Sequence, residues 1–194
     1  MTQRDDSSRF ASRAGAKLEH ALNAFSLSLQ GWTCADIGSN AGGFVDCLLQ
    51  RGAAKVYAIE RGYGVLDYRL RRDARVVVLE RTDALQVRLP QRVRLVTIDA
   101  GWTRQQAILP AAIRLLDPDG MIITLIKPHY EADEHMLEKG VLREESLQEV
   151  LSGVAAKIEG LGLACTKQTE SPIRGRAGNR EFLWLVKPLA ESGE

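Results

Sequence analysis

Cysteine is scarce in this chain: Cys34, Cys47 and Cys165 are the three among 194 residues. They lie far apart, with no CxxC pair and no histidine cluster beside them. That pattern excludes a disulfide frame and a zinc site and reads as reduced packing thiols; no metal is expected. Long apolar runs are also missing. None reaches the ~18–20 residues that span a bilayer, and residues 1–9 are too polar for a signal peptide. No membrane association and a cytoplasmic location are therefore expected. Net charge is small, +1, which says little of partners and counts against a strongly basic nucleic-acid binder. Repeats, linkers and low-complexity segments are absent. The expectation is one domain over 12–188, with a flexible arm at 1–11 and a tail at 189–194.

What is present is an ordinary globular composition, 45% hydrophobic and 26% charged, with basic runs at 69–75, 90–95 and 171–180 that read as solvated faces. Strand-like and helix-like segments alternate. SRAGAKLEHALNAF (12–25) places Leu18, Ala21, Leu22 and Phe25 at helical spacing, with Ser12 as a possible N-cap. Strands are expected at 32–38, 55–60, 75–80, 94–99, 121–127, 163–170 and 180–187. Helices are expected at 44–52, 66–73, 105–116 (interrupted by Pro110) and 143–162, with an irregular polar segment after 127. Such alternation predicts a Rossmann-like α/β fold: a parallel sheet with helices on both faces. Ligands of these sheets bind beyond the carboxyl ends of the strands. Asp36, Glu60, Asp99 and Lys127 all end strands, and Asp83 follows the third.

DIGSNAGGF (36–44) is a strand–loop–helix junction whose glycines allow a tight turn and close approach of a ligand. Its spacing is neither G-x-G-x-x-G nor the phosphate loop G-x-x-x-x-G-K-[ST]. A ligand with an adenosine end and an amino-acid end fits better, and S-adenosylmethionine is such a ligand. Glu60, about 20 residues past the loop, is placed to accept from ribose hydroxyls, Asp83 to meet the adenine amino group, and Asp36 the ammonium. The candidate cofactor-binding set is Asp36, Gly38, Ser39, Gly42, Gly43, Phe44, Glu60, Asp83 and Asp99. Rossmann oxidoreductases compete for the same loop, and each acid has a plain reading as a cap, a surface group or a turn former.

Lysine is rarely buried without a partner, yet the apolar run 121–126 ends in Lys127. Asp99 ends the preceding strand, Lys17 sits in the first helix, and Glu181 opens the last strand. A lysine that removes a proton from a sugar hydroxyl needs a nearby cation or desolvation to lower its pKa, and carboxylates to orient it. A buried Lys127–Asp99 ion pair with a solvated Lys17 satisfies the same spacing.

The stretches SRAGAKLEHAL, DIGSNAGGFVDCLLQRGAAKVYAIERGYGVLDYRLRRDARVVVLERTDA, IKPHYE and SPIRGRAGNREFL resemble the TlyA branch of the FtsJ-like ribose methyltransferases over residues 12–187. The resemblance implies a seven-stranded, mostly parallel sheet with an antiparallel last strand, and S-adenosylmethionine as methyl source. It also implies 2′-O-methylation of RNA, usually ribosomal RNA, and a catalytic set of Lys17, Asp99, Lys127 and Glu181 with Lys127 as base. The target ribose is expected between Lys17 and Glu181. Two departures stand out. The family's DVSFISL is DAGWTRQ here, which makes Trp102 a candidate to stack on the target base. The family's N-terminal S4-like RNA-binding domain is not expected in the few residues before Ser12, so RNA contact is expected from the catalytic domain or from a separate RNA-binding partner. Arg13, Arg174, Arg176 and Arg180 are the candidate phosphate contacts, with Lys17 beside them. The alternatives are a small-molecule methyltransferase, a noncatalytic RNA-binding module, and a membrane-active protein of the kind labelled haemolysin.

Overall fold

The computed structural model describes residues 9–101, 103–175 and 177–189. The expected arm through residue 8, Trp102, Arg176 and the tail from 190 lie outside the described residues. The chain begins with α1 (Ala14–Phe25), β1 (Thr33–Ile37), α2 (Gly43–Gln50), β2 (Lys55–Ile59), α3 (Tyr68–Arg71) and β3 (Val76–Leu79). It continues through β4 (Val93–Ile98), α4 (Gln105–Ile113), β5 (Leu116–Ile126) and α5 (Pro128–Glu131). A two-strand hairpin, β6 (Leu137–Glu138) and β7 (Val141–Leu142), precedes α6 (Leu147–Glu159), β8 (Leu163–Glu170) and β9 (Phe182–Pro188).

Seven strands form one sheet in the order β3-β2-β1-β4-β5-β9-β8. The first five pair in parallel, and β9 runs antiparallel to both β5 and β8. This is the expected Rossmann-like arrangement. The strands read as they do because both faces are covered: Met121 to Ile126 are buried without a break, as parallel strands between two helix layers must be. Residues of β9 alternate accordingly. Leu183 and Leu185 join the core under α1 and α2, while Trp184 and Val186 join the core under α4 and α6. At roughly 1.5–3 kcal/mol for each fully buried large apolar side chain, these two cores hold the sheet in register.

Local departures from the sequence reading have local causes. The first helix begins at Ala14, and Ser12 contributes its carbonyl to Gly15 N–H (3.1 Å) instead of a side-chain cap. That helix stops where Ser26 turns left-handed (φ 56°) and Leu27 N–H returns to Leu22 O at 3.0 Å, satisfying a carbonyl the helix would otherwise orphan. Pro110 does not interrupt α4, which runs through it to Ile113. The segment after Lys127 is ordered as α5 and the hairpin, whose turn residues Lys139 and Gly140 have φ of 50° and 80°. Positive φ at both positions suits a tight hairpin turn. Among the described residues, no helix is long and apolar enough to cross a membrane.

Candidate active site

Strand order reverses direction at β1, which has β2 on one side and β4 on the other. Loops leaving β1 and β4 therefore part company, and a cleft opens beyond the strand ends. Its volume is about 820 Å³, and Lys17, Asp36, Asp99, Lys127 and Glu181 all line it.

Lys127 directly follows β5 and Asp99 directly follows β4, so their pairing is set by neighbouring parallel strands. The Lys127 Nζ lies 2.6 Å from Asp99 Oδ1, with the two side chains 15% and 20% exposed. It also reaches the Ala100 carbonyl at 3.4 Å. Gly38 makes room for this pair: its φ is +82°, and a Cβ there would stand 2.6 Å from the Asp99 carbonyl oxygen. Lys17 projects from the otherwise apolar face of α1 that carries Leu18, Ala21 and Leu22. It forms an ion pair with Glu181, the residue just before β9, and the two are only 5% and 4% exposed. Because Lys17 and Glu181 are joined directly, no gap separates them; a ribose would lie against the pair, not between its members.

Asp36 is 1% exposed. The Thr97 hydroxyl donates to its Oδ1 at 2.7 Å, a contact that follows from the β1–β4 register pairing Asp36 with Thr97. Its Oδ2 has no hydrogen-bond partner among the described residues. Burial pushes the pKa up to about 7, with Asp99 and Glu60 adding to the rise against the hydroxyls of Thr97 and Ser39. A buried carboxyl with one empty acceptor is suited to meet a cation. Ser39 donates from its hydroxyl to the Asp36 carbonyl at 3.0 Å.

Not every expected residue reaches the cleft. Ser39, Gly43 and Phe44 line it with Gly38, whereas Gly42, Glu60 and Asp83 do not. The space beside Gly42 is filled by the side chains of Leu66 and Leu70. Glu60 accepts from Asn40 N–H at 2.8 Å and from Gly62 N–H at 2.7 Å, tying the loop after β1 to the loop after β2. Asp83 caps a turn by accepting from Leu85 N–H at 3.0 Å. Arg13 is exposed on the cleft wall. Arg174 donates to the Gly178 carbonyl at 3.1 Å. Arg180 is engaged bidentately by Glu170, at 2.8 and 2.6 Å, and also by Glu144. Trp102 and Arg176 fall outside the described residues.

His129, Tyr130 and Asn179 line the cleft without having been given a role in the sequence reading. His129 and Tyr130 follow Lys127, with ring centroids 4.2 Å apart. His129 Nδ1 is buried without a hydrogen-bond partner among the described residues, and burial, then the Lys127 charge, holds its pKa below the ordinary histidine value. Asn179 is 3% exposed and reaches across to the hairpin. All three lie within the stretches IKPHYE and SPIRGRAGNREFL, where nothing in residue type or spacing set them apart.

Known proteins resemble this chain in sequence and fold. The FtsJ-like methyltransferase family matches residues 10–187. Hemolysin A of Brachyspira hyodysenteriae is 37% identical over 181 residues, which is 90% of this chain and 75% of that protein. The 16S/23S rRNA (cytidine-2′-O)-methyltransferase TlyA of Mycobacterium tuberculosis is 38% identical over 192 residues, 95% of this chain and 72% of that protein. Among solved structures, a hemolysin-labelled protein of Streptococcus thermophilus superposes with a TM-score of 0.91 at 34% identity, covering 96% of this chain and 70% of that one.

Proposed function

This chain belongs to the FtsJ-like methyltransferase family, and from that premise we propose that it carries a methyl group from S-adenosylmethionine to a ribose 2′-hydroxyl of RNA, ribosomal RNA foremost. The observation that carries the reading is the meeting of two lysine–carboxylate pairs, Lys127–Asp99 and Lys17–Glu181, on the wall of one cleft. The similarity to a ribosomal RNA cytidine-2′-O-methyltransferase supports the same substrate class. A ribosomal RNA substrate supports a cytoplasmic location.

Asp36 Oδ2, buried and unpartnered, fits the ammonium of the methyl donor. The amide end of α2, an eight-residue helix, fits its carboxylate. When bound, S-adenosylmethionine supplies an electrophilic methyl group that needs no activation by the protein. What remains for the chain is orientation and the handling of one proton. Asp99 orients Lys127 Nζ at 2.6 Å; in its neutral form that amine takes the proton of the acceptor hydroxyl as the new O–CH3 bond forms and the methyl bond to the donor's sulfur breaks, leaving a neutral thioether. Glu181 fixes Lys17, which places a cationic centre beside the oxygen as negative charge develops there. Arg13 at the cleft wall is placed to meet a phosphate of the RNA.

The test is transfer of label from methyl-labelled S-adenosylmethionine to ribosomal subunits or total RNA from a strain lacking this protein. Expected is label at alkali-resistant linkages, reduced roughly hundredfold or more in Lys127→Ala, with binding of the methyl donor retained. Donor binding without RNA label would transfer the reading to a small-molecule acceptor, and no donor binding would refute methyl transfer.

A further inference from the structure

The hairpin of β6 and β7 contributes Leu137 and Gly140 to the cleft, beside the loop that contributes Gly175, Ala177, Asn179 and Glu181. Two residue pairs make up the hairpin ladder, extended by one bond from Arg143 N–H to the Met136 carbonyl at 3.1 Å, too few to hold themselves together in water. Its residues are half-buried or exposed, so apolar burial adds little. Asn179 supplies the missing restraint. Its Oδ1 accepts from Leu142 N–H at 2.9 Å, and its Nδ2 donates to the Gly140 carbonyl at 3.0 Å. These bonds flank Val141, holding the end of the turn and β7, and are made by a side chain shielded from water, where each is hard to replace.

The same residue governs the loop that carries Glu181. The Asn179 carbonyl accepts from Gly175 N–H at 2.9 Å, and Ser171 N–H donates to the Glu181 carbonyl at 2.8 Å, closing the loop at its base. The closure is tight: a Cβ on Gly175 would stand 2.8 Å from Glu181 Oε1.

We propose that Asn179 is a positioning residue for the RNA acceptor: its carboxamide latches the hairpin to the Glu181 loop and so forms the wall against which the target nucleotide docks. This rests on the 2′-O-methylation reading. Asp36 is held by β4 through Thr97, and Gly38 and Ser39 by the Ile59 carbonyl of β2; among the described residues none of the three shares a hydrogen bond with this latch, so loss of the latch should act on the acceptor and spare the methyl donor.

The experiment compares wild type with Asn179→Ala, Asn179→Asp, and a chain in which residues 137–142 are replaced by a Gly-Ser segment of equal length. Expected for Asn179→Ala is a fall in RNA kcat/KM of roughly tenfold or more, with the methyl-donor Kd unchanged and amide-exchange protection at Leu142 lost. Asn179→Asp keeps the acceptor for Leu142 but loses the donor to Gly140, and falls between. The hairpin replacement leaves Asn179 in place and reproduces the loss on RNA even where Asn179→Ala does not fold. Unchanged RNA kinetics in a variant whose Leu142 amide has become unprotected would overturn the proposal, as would donor Kd and RNA kinetics declining together. Absence of RNA label from wild type would instead refute the functional reading, and the latch with it.

Discussion

On one side of the cleft, Asp36, Gly38 and Ser39 fall within four consecutive positions, and β1–β4 register supplies Thr97 to Asp36. On the other, Lys17 and Glu181 come together from 164 positions apart, and Asn179 joins a hairpin 39 residues upstream. The first side is a local device, written as strand, glycine loop and helix. The second exists only when the first helix, the last strand, the β6–β7 hairpin and the loop before β9 have docked. Local geometry tolerates loss of a side chain better than a junction whose buried charges balance each other, and the two sides should therefore fail differently.

Breaking the Lys17–Glu181 pair gives the largest expected loss of stability. Glu181→Ala strands a buried ammonium, and urea denaturation should report a fall of about 3–5 kcal/mol. Replacing Lys17 with Met and Glu181 with Leu together should restore most of that stability without restoring turnover. A single variant as stable as wild type would mean that water reaches the pair. Lys127→Ala sharpens the contrast: both partners there keep some solvent contact, so stability should change far less than turnover.

Asp36 offers a smaller effect with a definite sign. Its ordinary value is 3.8 and the folded value about 7, so the native state holds an extra proton between them. Its stabilising contribution is complete below about pH 3.8 and is lost as pH rises through about 7. Asp36→Asn cannot lose that proton, so the melting temperature of the variant relative to wild type should climb across this interval. A constant difference would show that the buried carboxyl ionises at its ordinary pH.

Arg180 gives the smallest effect. Its carboxylate partners are largely exposed (43% for Glu170 and 74% for Glu144), and solvent screening limits Arg180→Ala to about 1 kcal/mol or less. With Glu170 and Glu144 occupying the guanidinium, RNA affinity should scarcely move. A clear loss, steepest at low salt, would show that phosphate displaces the acids.

Much of the frame was legible because apolar runs and glycine punctuation act over a few residues. All seven sheet strands were expected within one or two residues of their observed ends, apart from the fifth, which starts at Leu116. Lys127 and Asp99 were legible because adjacent strand ends converge in any parallel sheet. The hairpin was not: two-residue strands in a polar segment leave no period to read. Glu60 and Asp83 were assigned a ligand by their place after strands, yet both accept hydrogen bonds from backbone amides of nearby turns, and turn chemistry of that kind looks the same in sequence as ligand chemistry.

By itself the sequence determined the alternation of strands and helices, the glycine loop at the end of β1, and the presence of two lysines and two acids with the chemistry for proton removal, since each depends on residue type and short spacing. Only the tertiary structure decided that Lys17 would be buried against Glu181, that Arg180 would be claimed by Glu170 and Glu144, that Asp36 would keep an unpartnered oxygen, and that Asn179 would latch a hairpin to the cleft. Those outcomes depend on which distant groups exclude water from one another, and burial of that kind is a property of the packed molecule.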